Sequence, residues 1–226
     1  MNYSPLQASI LFHVGLVPIS RPVVTTWGLI VILTLACGLA TRSLKVIQGG
    51  FQAVVESVVL AVEDQIQSIV GRDAAPFSPL LGTLFVFLVF ANLSGILPGV
   101  KAPTASFETP AALAAIVFLS VHFFGIRFKG LLPYLKGYLK PNPALLPLNI
   151  LSEVTRSLSL AIRLFGNIMS DELVLAIILA LAGLLVPVPF MAFAILVGLV
   201  QAYIFSILAT VYVAGGIGAI SSEGGG

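Results

Sequence analysis

Residues 173–222 run for fifty residues without one charge. As a single helix rising ~1.5 Å per residue, that stretch would reach about 75 Å, over twice the ~30 Å hydrocarbon core of a bilayer. It must therefore turn, and Pro187-Val188-Pro189 is where a helix is most easily interrupted. The composition points the same way. The chain is 58% hydrophobic and 9% charged, with a mean hydropathy of +1.11, whereas roughly a quarter of an ordinary soluble domain is charged. A soluble globular protein, a disordered region and a nucleic-acid binder are excluded. What remains is an all-α polytopic membrane protein. A transmembrane barrel would alternate polar and apolar residues with period two, and these runs do not.

The charges punctuate the rest of the chain. Spans are expected at 23–41, at 79–97 within the uncharged run between Asp73 and Lys101, and at 109–126 between Glu108 and Arg127. A long helix pair is expected at 146–185 and 189–222. Residues 50–71 differ: Phe51, Val55, Val58, Val62, Ile66 and Ile69 recur at helical steps, while Gln52, Glu56, Glu63 and Gln67 fall mostly on the other side. That pattern predicts an amphipathic helix on a membrane surface or against a partner. The whole of 1–226 reads as one membrane domain, with about five membrane helices, one interfacial helix, no internal repeat and no second domain. Residues 1–22 form an N-terminal segment. No cleavable signal peptide is expected, because the first residues lack a basic start and are broken by Pro5 and Pro18.

Basic residues set the expected orientation. Arg42, Lys45 and Arg72 occupy one loop region and Arg127, Lys129, Lys136 and Lys140 another, against only Arg21 and Lys101 on the opposite side. The bias puts both basic loops in the cytoplasm, the N-terminus outside and the C-terminus inside. Cys37 is the sole cysteine, so no internal disulfide and no cysteine metal site is expected. No phosphate-binding glycine loop, metal-ligand cluster or nucleophile–base arrangement appears, so no metal or cofactor is expected.

The segment NILSEVTRSLSLAIRLFGNIMSDE, residues 149–172, carries the chemistry. On a helix, Asn149, Ser152, Arg156, Ser159, Arg163, Asn167 and Ser170 share one face. Leu158, Leu160, Ile162, Leu164 and Phe165 lie on the others. Ionisable groups within a membrane are costly and by default face a bundle interior or a water path. Arg163 is the centre of this stripe, and its guanidinium stays charged where a lysine would be neutralised. The competing reading is a structural arginine that snorkels to a headgroup or pairs with Glu153 or Asp171. Arg156, nearer the cytoplasmic end, suits snorkelling better. Glu172 points about 180° from Arg163 and Asp171 about 80°. Glu172 can thus belong to a separate aqueous path, or both acids can simply end the helix at the outer interface. Gln201 is the only amide in the uncharged run, and a membrane-buried amide needs a partner; Arg163 or Glu172 would serve. Asn92-Leu-Ser-Gly-Ile-Leu-Pro98-Gly reads as a helix end. Glu108 reads as a solvated loop charge or a collector of cations, and His122 as a packing histidine.

Ser159-Leu-Ala-Ile-Arg163-Leu-Phe-Gly-Asn167, with Glu172 five residues on and Gln201-Ala-Tyr-Ile-Phe in the final helix, closely resembles subunit a of the F-type ATP synthases. Asn92-Leu-Ser-Gly-Ile-Leu-Pro-Gly, Pro103-Thr-Ala, Gly130, Tyr134 and Pro141 extend the resemblance to roughly residues 25–215. The resemblance implies a non-catalytic stator subunit, with the ATP sites on other subunits. Two offset aqueous half-channels lead to ion-binding carboxylates on a rotating ring of c subunits. The family's last two helices are long and strongly tilted against that ring. By similarity Arg163 separates the half-channels, Asn167, Glu172 and Gln201 line the outer one together with Asp171, and Glu153 lies on the cytoplasmic path. Arg156, Ser159, Glu108 and His122 are secondary candidates. The implied partners are the c ring, the b-subunit stalk, the other synthase subunits and lipid, in a bacterial plasma (inner) membrane and with no nucleic acid. The coupling ion is H+ or Na+. Some positions depart from the family's pattern. Asn149 stands where many members have a second carboxylate, Ser157 for a usual proline, Ser106 for an aspartate. Asp171 stands for a common glycine and Ala194 for a histidine that partners that position. Two other readings remain: a stand-alone secondary transporter or ion channel, and a non-transporting membrane scaffold. The lack of a two-half repeat argues against the first, and the charged stripe against the second.

Overall fold

The computed structural model describes residues 10–14, 17–41, 50–71, 73–95, 102–138, 144, 146–183 and 187–218. Among these residues the architecture is all-α save for a short antiparallel hairpin, β1 (Ile10–Val14) and β2 (Val17–Ser20). Helices follow as α1 (Arg21–Thr41), α2 (Gly50–Val70), α3 (Ser78–Ser94), α4 (Glu108–Lys129), α5 (Leu131–Tyr138), α6 (Leu146–Ala182) and α7 (Pro187–Ile217), with a 3-10 turn at Pro103–Ala105 before α4. Among the described residues, four helices are long and apolar enough to cross a membrane: α1, α4, α6 and α7; α3 is a shorter apolar helix. The chain is a multi-pass membrane protein.

The core lies where α3, α4, α6 and α7 meet. Each contributes residues at three- and four-residue steps: Leu81, Leu84 and Leu88 from α3, Leu113, Val117 and Val121 from α4, Leu160, Leu164 and Ile168 from α6, and Ala202, Phe205, Ala209 and Val213 from α7. Lipid is as apolar as these side chains, so close packing rather than water exclusion holds such helices together, and small residues allow it. Gly216 is one of them: a Cβ there would lie 2.8 Å from Val121 Cγ1. Gly125 is tighter still, since a Cβ would fall 2.3 Å from the Tyr134 ring, which docks α5 onto α4.

Several boundaries differ from the sequence reading for identifiable reasons. The break between the two long helices does not fall at the Pro-Val-Pro triplet. Helix α6 ends at Ala182, and Gly183 follows at φ +73, a backbone conformation suited to closing a helix. Pro187 then opens α7, because an N–H is not needed in a first turn. The short helix α5 was not anticipated; Gly130, at φ +83, turns the chain into it. The amphipathic stretch does form α2, but its two ends differ. Ile66 and Val70 are buried in the common core, while Val55, Val58, Val59 and Leu60 remain exposed. The C-terminal part of α2 is thus anchored to its own chain, against α3 and α7. Helix α1 is exposed along most of its length and touches the bundle near its start, where the Thr26 and Thr109 hydroxyls lie 3.4 Å apart. Arg42, Lys45, Arg72, Lys101 and Lys140, on which the orientation reading partly depends, lie outside the described residues.

Length alone forces one feature of α6 and α7. At ~1.5 Å per residue they run about 55 and 46 Å. Neither fits upright in a ~30 Å core, so both must tilt strongly or protrude.

Candidate functional site

Helix α6 buries Leu160, Ala161, Leu164 and Ile168 against its neighbours. That choice of inner face dictates where the polar stripe goes. Ser152, Arg156, Ser159, Arg163, Asn167 and Ser170 are all exposed, and Asn149 is half-buried. On a neighbouring face Leu151, Leu158 and Ile162 are exposed as well. The stripe therefore faces away from this chain's own bundle rather than into it. Among the described residues the Arg163 guanidinium has neither an ion pair nor a hydrogen bond. The structure does not bring Glu153 or Asp171 onto it. Arg156 stacks over the Tyr212 ring at 5.8 Å, so the stripe's second cation is partly engaged by α7.

Asn167 links the outward stripe to the interior. Its Nδ2 donates to Gln201 Oε1 at 2.5 Å. Gln201 is 3% exposed and projects from α7 toward α6. The sequence offers Arg163 or Glu172 as the partner of this amide; in the structure its partner is Asn167. Among the described residues, Gln201 Nε2 and Asp171 Oδ2 are buried side-chain atoms without a hydrogen-bond partner. Such atoms each cost ~1–3 kcal/mol, and native proteins concentrate these departures at functional places.

Asp171 and Glu172 both line a small cavity of about 50 Å³, together with Asn92, Gly95, Ala102, Ile168, Leu175, Met191 and Ala194. Its walls come from α3, α6, α7 and the chain leading into the 3-10 turn. The two half-buried acids thus share one half-open recess, on the side of α6 that faces the bundle. The volume holds one or two waters. Glu153 lies ten residues before Arg163 and Glu172 nine after it, so along the axis one acid is about 15 Å to one side and the other about 14 Å to the other.

Two secondary candidates stand apart. His122 Nδ1 lies 2.8 Å from the Phe118 carbonyl, and its ring packs against Phe118 at 4.4 Å and Tyr134 at 6.0 Å, the setting of a packing histidine. Glu108 sits exposed in the first turn of α4, where a negative charge complements the helix dipole. Asn92 is the residue the sequence reading passed over as part of a helix end. Its signal was present: an amide at the close of a long uncharged run needs a partner.

The family described as ATP synthase A chain matches residues 23–214. The chain belongs to that family. It is 56% identical to "ATP synthase subunit a 2" of Bradyrhizobium sp. strain BTAi1, over 98% of this chain and 99% of the relative. A protein of the same description from Pelobacter propionicus is 46% identical, over 94% of this chain and 93% of its own. "ATP synthase subunit a" of Legionella pneumophila strain Philadelphia 1 is 41% identical, over 99% of both. The family match includes every one of the candidate ion-path residues, from Glu108 to Gln201.

Proposed function

We infer that the chain is the ion-translocating stator subunit of the membrane sector of an F-type ATP synthase, coupling H+ or Na+ flow to ring rotation. It works within a complex with other synthase subunits and carries out no ATP chemistry itself. The observation that carries the finer reading is the outward polar stripe. A permanently charged Arg163, exposed on a helix otherwise fit for lipid, is too costly to leave against hydrocarbon. A partner that presents carboxylates to it removes that cost, and the c ring does so.

Helices α6 and α7 form the face toward the ring. An arriving ring carboxylate within ~4 Å of Arg163 gains about 4 kcal/mol at an effective dielectric near 20, roughly a thousandfold weakening of its hold on the bound ion. That is enough to discharge the ion and still allow the carboxylate to move on. The outer half-channel runs past Asp171 and Glu172 to the Asn167–Gln201 pair; the cytoplasmic one passes Glu153. The exposed, apolar α1 and the N-terminal half of α2 suit contact with the b-subunit stalk and lipid. The setting is a bacterial plasma membrane, with the N-terminus outside and the C-terminus cytoplasmic, as the seven-to-two bias of basic residues favours.

The test is Arg163→Ala in the complete complex, reconstituted in proteoliposomes. ATP-driven ion uptake and gradient-driven ATP synthesis should both be abolished. Coupled pumping at the wild-type rate overturns the assignment. Running the wild type with and without sodium and protonophore identifies the ion: uptake abolished by protonophore means H+, and sodium uptake that persists means Na+.

A further inference from the structure

Near the end of α3, one amide joins three separate pieces of the chain. Asn92 is 9% exposed. Its Nδ2 donates to the Gly198 carbonyl on α7 at 2.8 Å, and its Oδ1 accepts from the Thr104 hydroxyl at 3.0 Å. Thr104 is fully buried, in the 3-10 turn that precedes α4. The Gly198 carbonyl lies inside α7 and already belongs to that helix's own ladder. The bond from Asn92 is therefore not needed to satisfy it; what the bond does is fix α7 against α3. The contact is close, since a Cβ on residue 198 would lie 3.1 Å from Asn92 Cβ and press it back by a few tenths of an ångström. A second close approach holds the turn in place: a Cβ at Gly95 would lie 2.9 Å from Ala102 Cβ.

This clasp adjoins the ion-path candidates on both sides. Asn92, Gly95 and Ala102 share their cavity with Asp171 and Glu172. Gly198 lies three residues before Gln201, one helical turn away, and Gln201 is the residue that meets Asn167 across the α6–α7 contact. A rigid helix carries a displacement at Gly198 directly to Gln201. We propose that Asn92 and Thr104 are positioning residues for ion transfer: the Thr104–Asn92–Gly198 clasp sets the rotation and height of α7, and so holds the Asn167–Gln201 pair and the Asp171–Glu172 cavity in working geometry. The proposal rests on the reading of the chain as the ion-translocating subunit.

The experiment uses the whole complex in proteoliposomes, with ATP-driven ion uptake normalised to the amount of assembled complex. Thr104→Val keeps the shape and removes the donor; Thr104→Ser keeps the donor. Uptake per complex should fall about three- to tenfold in T104V, the range of one lost buried hydrogen bond expressed as a rate, and return to within about twofold in T104S. A role confined to folding would instead lower the yield of complex and leave the rate per complex alone; that result overturns the proposal. So does a T104S variant as slow as T104V. Gly198→Ala reaches the same contact from α7 without removing a polar group, and alanine favours the helix itself. It should slow uptake comparably, and wild-type uptake by assembled G198A refutes the clasp. Arg163→Ala, measured alongside, separates the two levels: if it pumps normally, the underlying functional reading fails, whatever Thr104 does.

Discussion

Replacing Gln201 by leucine should divide stability from function. Gln201 is 3% exposed and makes one side-chain hydrogen bond, accepted from Asn167. Its Nε2 is buried without a partner among the described residues. The substitution removes a hydrogen bond worth ~0.5–1.5 kcal/mol and also removes an unpaired buried donor that costs ~1–3 kcal/mol. Asn167 lies on the outward stripe beside Arg163, which the proposed ring contact shields from hydrocarbon, so losing its acceptor does not strand it in lipid. Leucine and glutamine are close in size, so no large cavity opens. The terms sum to a change near zero or a slight gain in stability. An amide that occupies such a position without stabilising the fold fits the proposed role in ion passage. The assay is paired: the thermal midpoint of the purified complex, and ATP-driven ion uptake per complex. Gln201→Leu should leave the midpoint within about 2 °C of wild type and slow uptake by about tenfold. A wild-type uptake rate means Gln201 is not on the ion path. A large fall in the midpoint with unchanged uptake means the amide is structural, and the argument from its unpaired nitrogen is wrong.

The remaining predictions concern other parts of the same machinery. Glu172→Gln keeps the size of the side chain and removes its charge from the cavity it shares with Asp171 and Asn92; ion uptake should slow without being abolished, and a wild-type rate would remove Glu172 from the outer path. Gly125→Ala places a methyl 2.3 Å from the Tyr134 ring, so the ring is displaced and its docking of α5 onto α4 is disturbed. The expected cost is about 1–3 kcal/mol, read as a lower thermal midpoint and faster proteolysis around α5; no change in either would mean Tyr134 moves aside freely.

The sequence carried the helical class and the polar stripe, because both depend on local periodicity. Fifty uncharged residues require membrane helices, and seven polar residues at three- and four-residue steps require one face. It did not carry which way that face points. The stripe of α6 and its apolar opposite are both continuous, and only packing decides between them: Leu160, Leu164 and Ile168 meet α4 and α7, so Arg163 faces out. The helix break was misplaced for a related reason. Proline both stops and starts helices, and Pro187 starts one here. Pairings between distant residues were the least legible. Asn167 and Gln201 are thirty-four apart, and Asn92 and Gly198 one hundred and six. A lone amide announces that it needs a partner, but not which one.

In the proposed mechanism, these pairings divide α6 into two sides. The side toward the bundle carries Asp171 and Glu172, beside a water-sized cavity walled by α3 and α7. The side away from it carries Arg163, exposed. Asn167 is the stripe residue bonded across to Gln201 in the interior. A charge and a path that occupied the same side of the helix would neutralise each other directly, by the ~4 kcal/mol that a close pair gains. Turned about 80° and 180° round the helix from Arg163, Asp171 and Glu172 leave it available to a third, moving carboxylate. An ion path that ends beside a fixed cation, without running through it, requires such a division, and α6 can supply it because its inner face is filled by apolar residues at Leu160, Leu164 and Ile168.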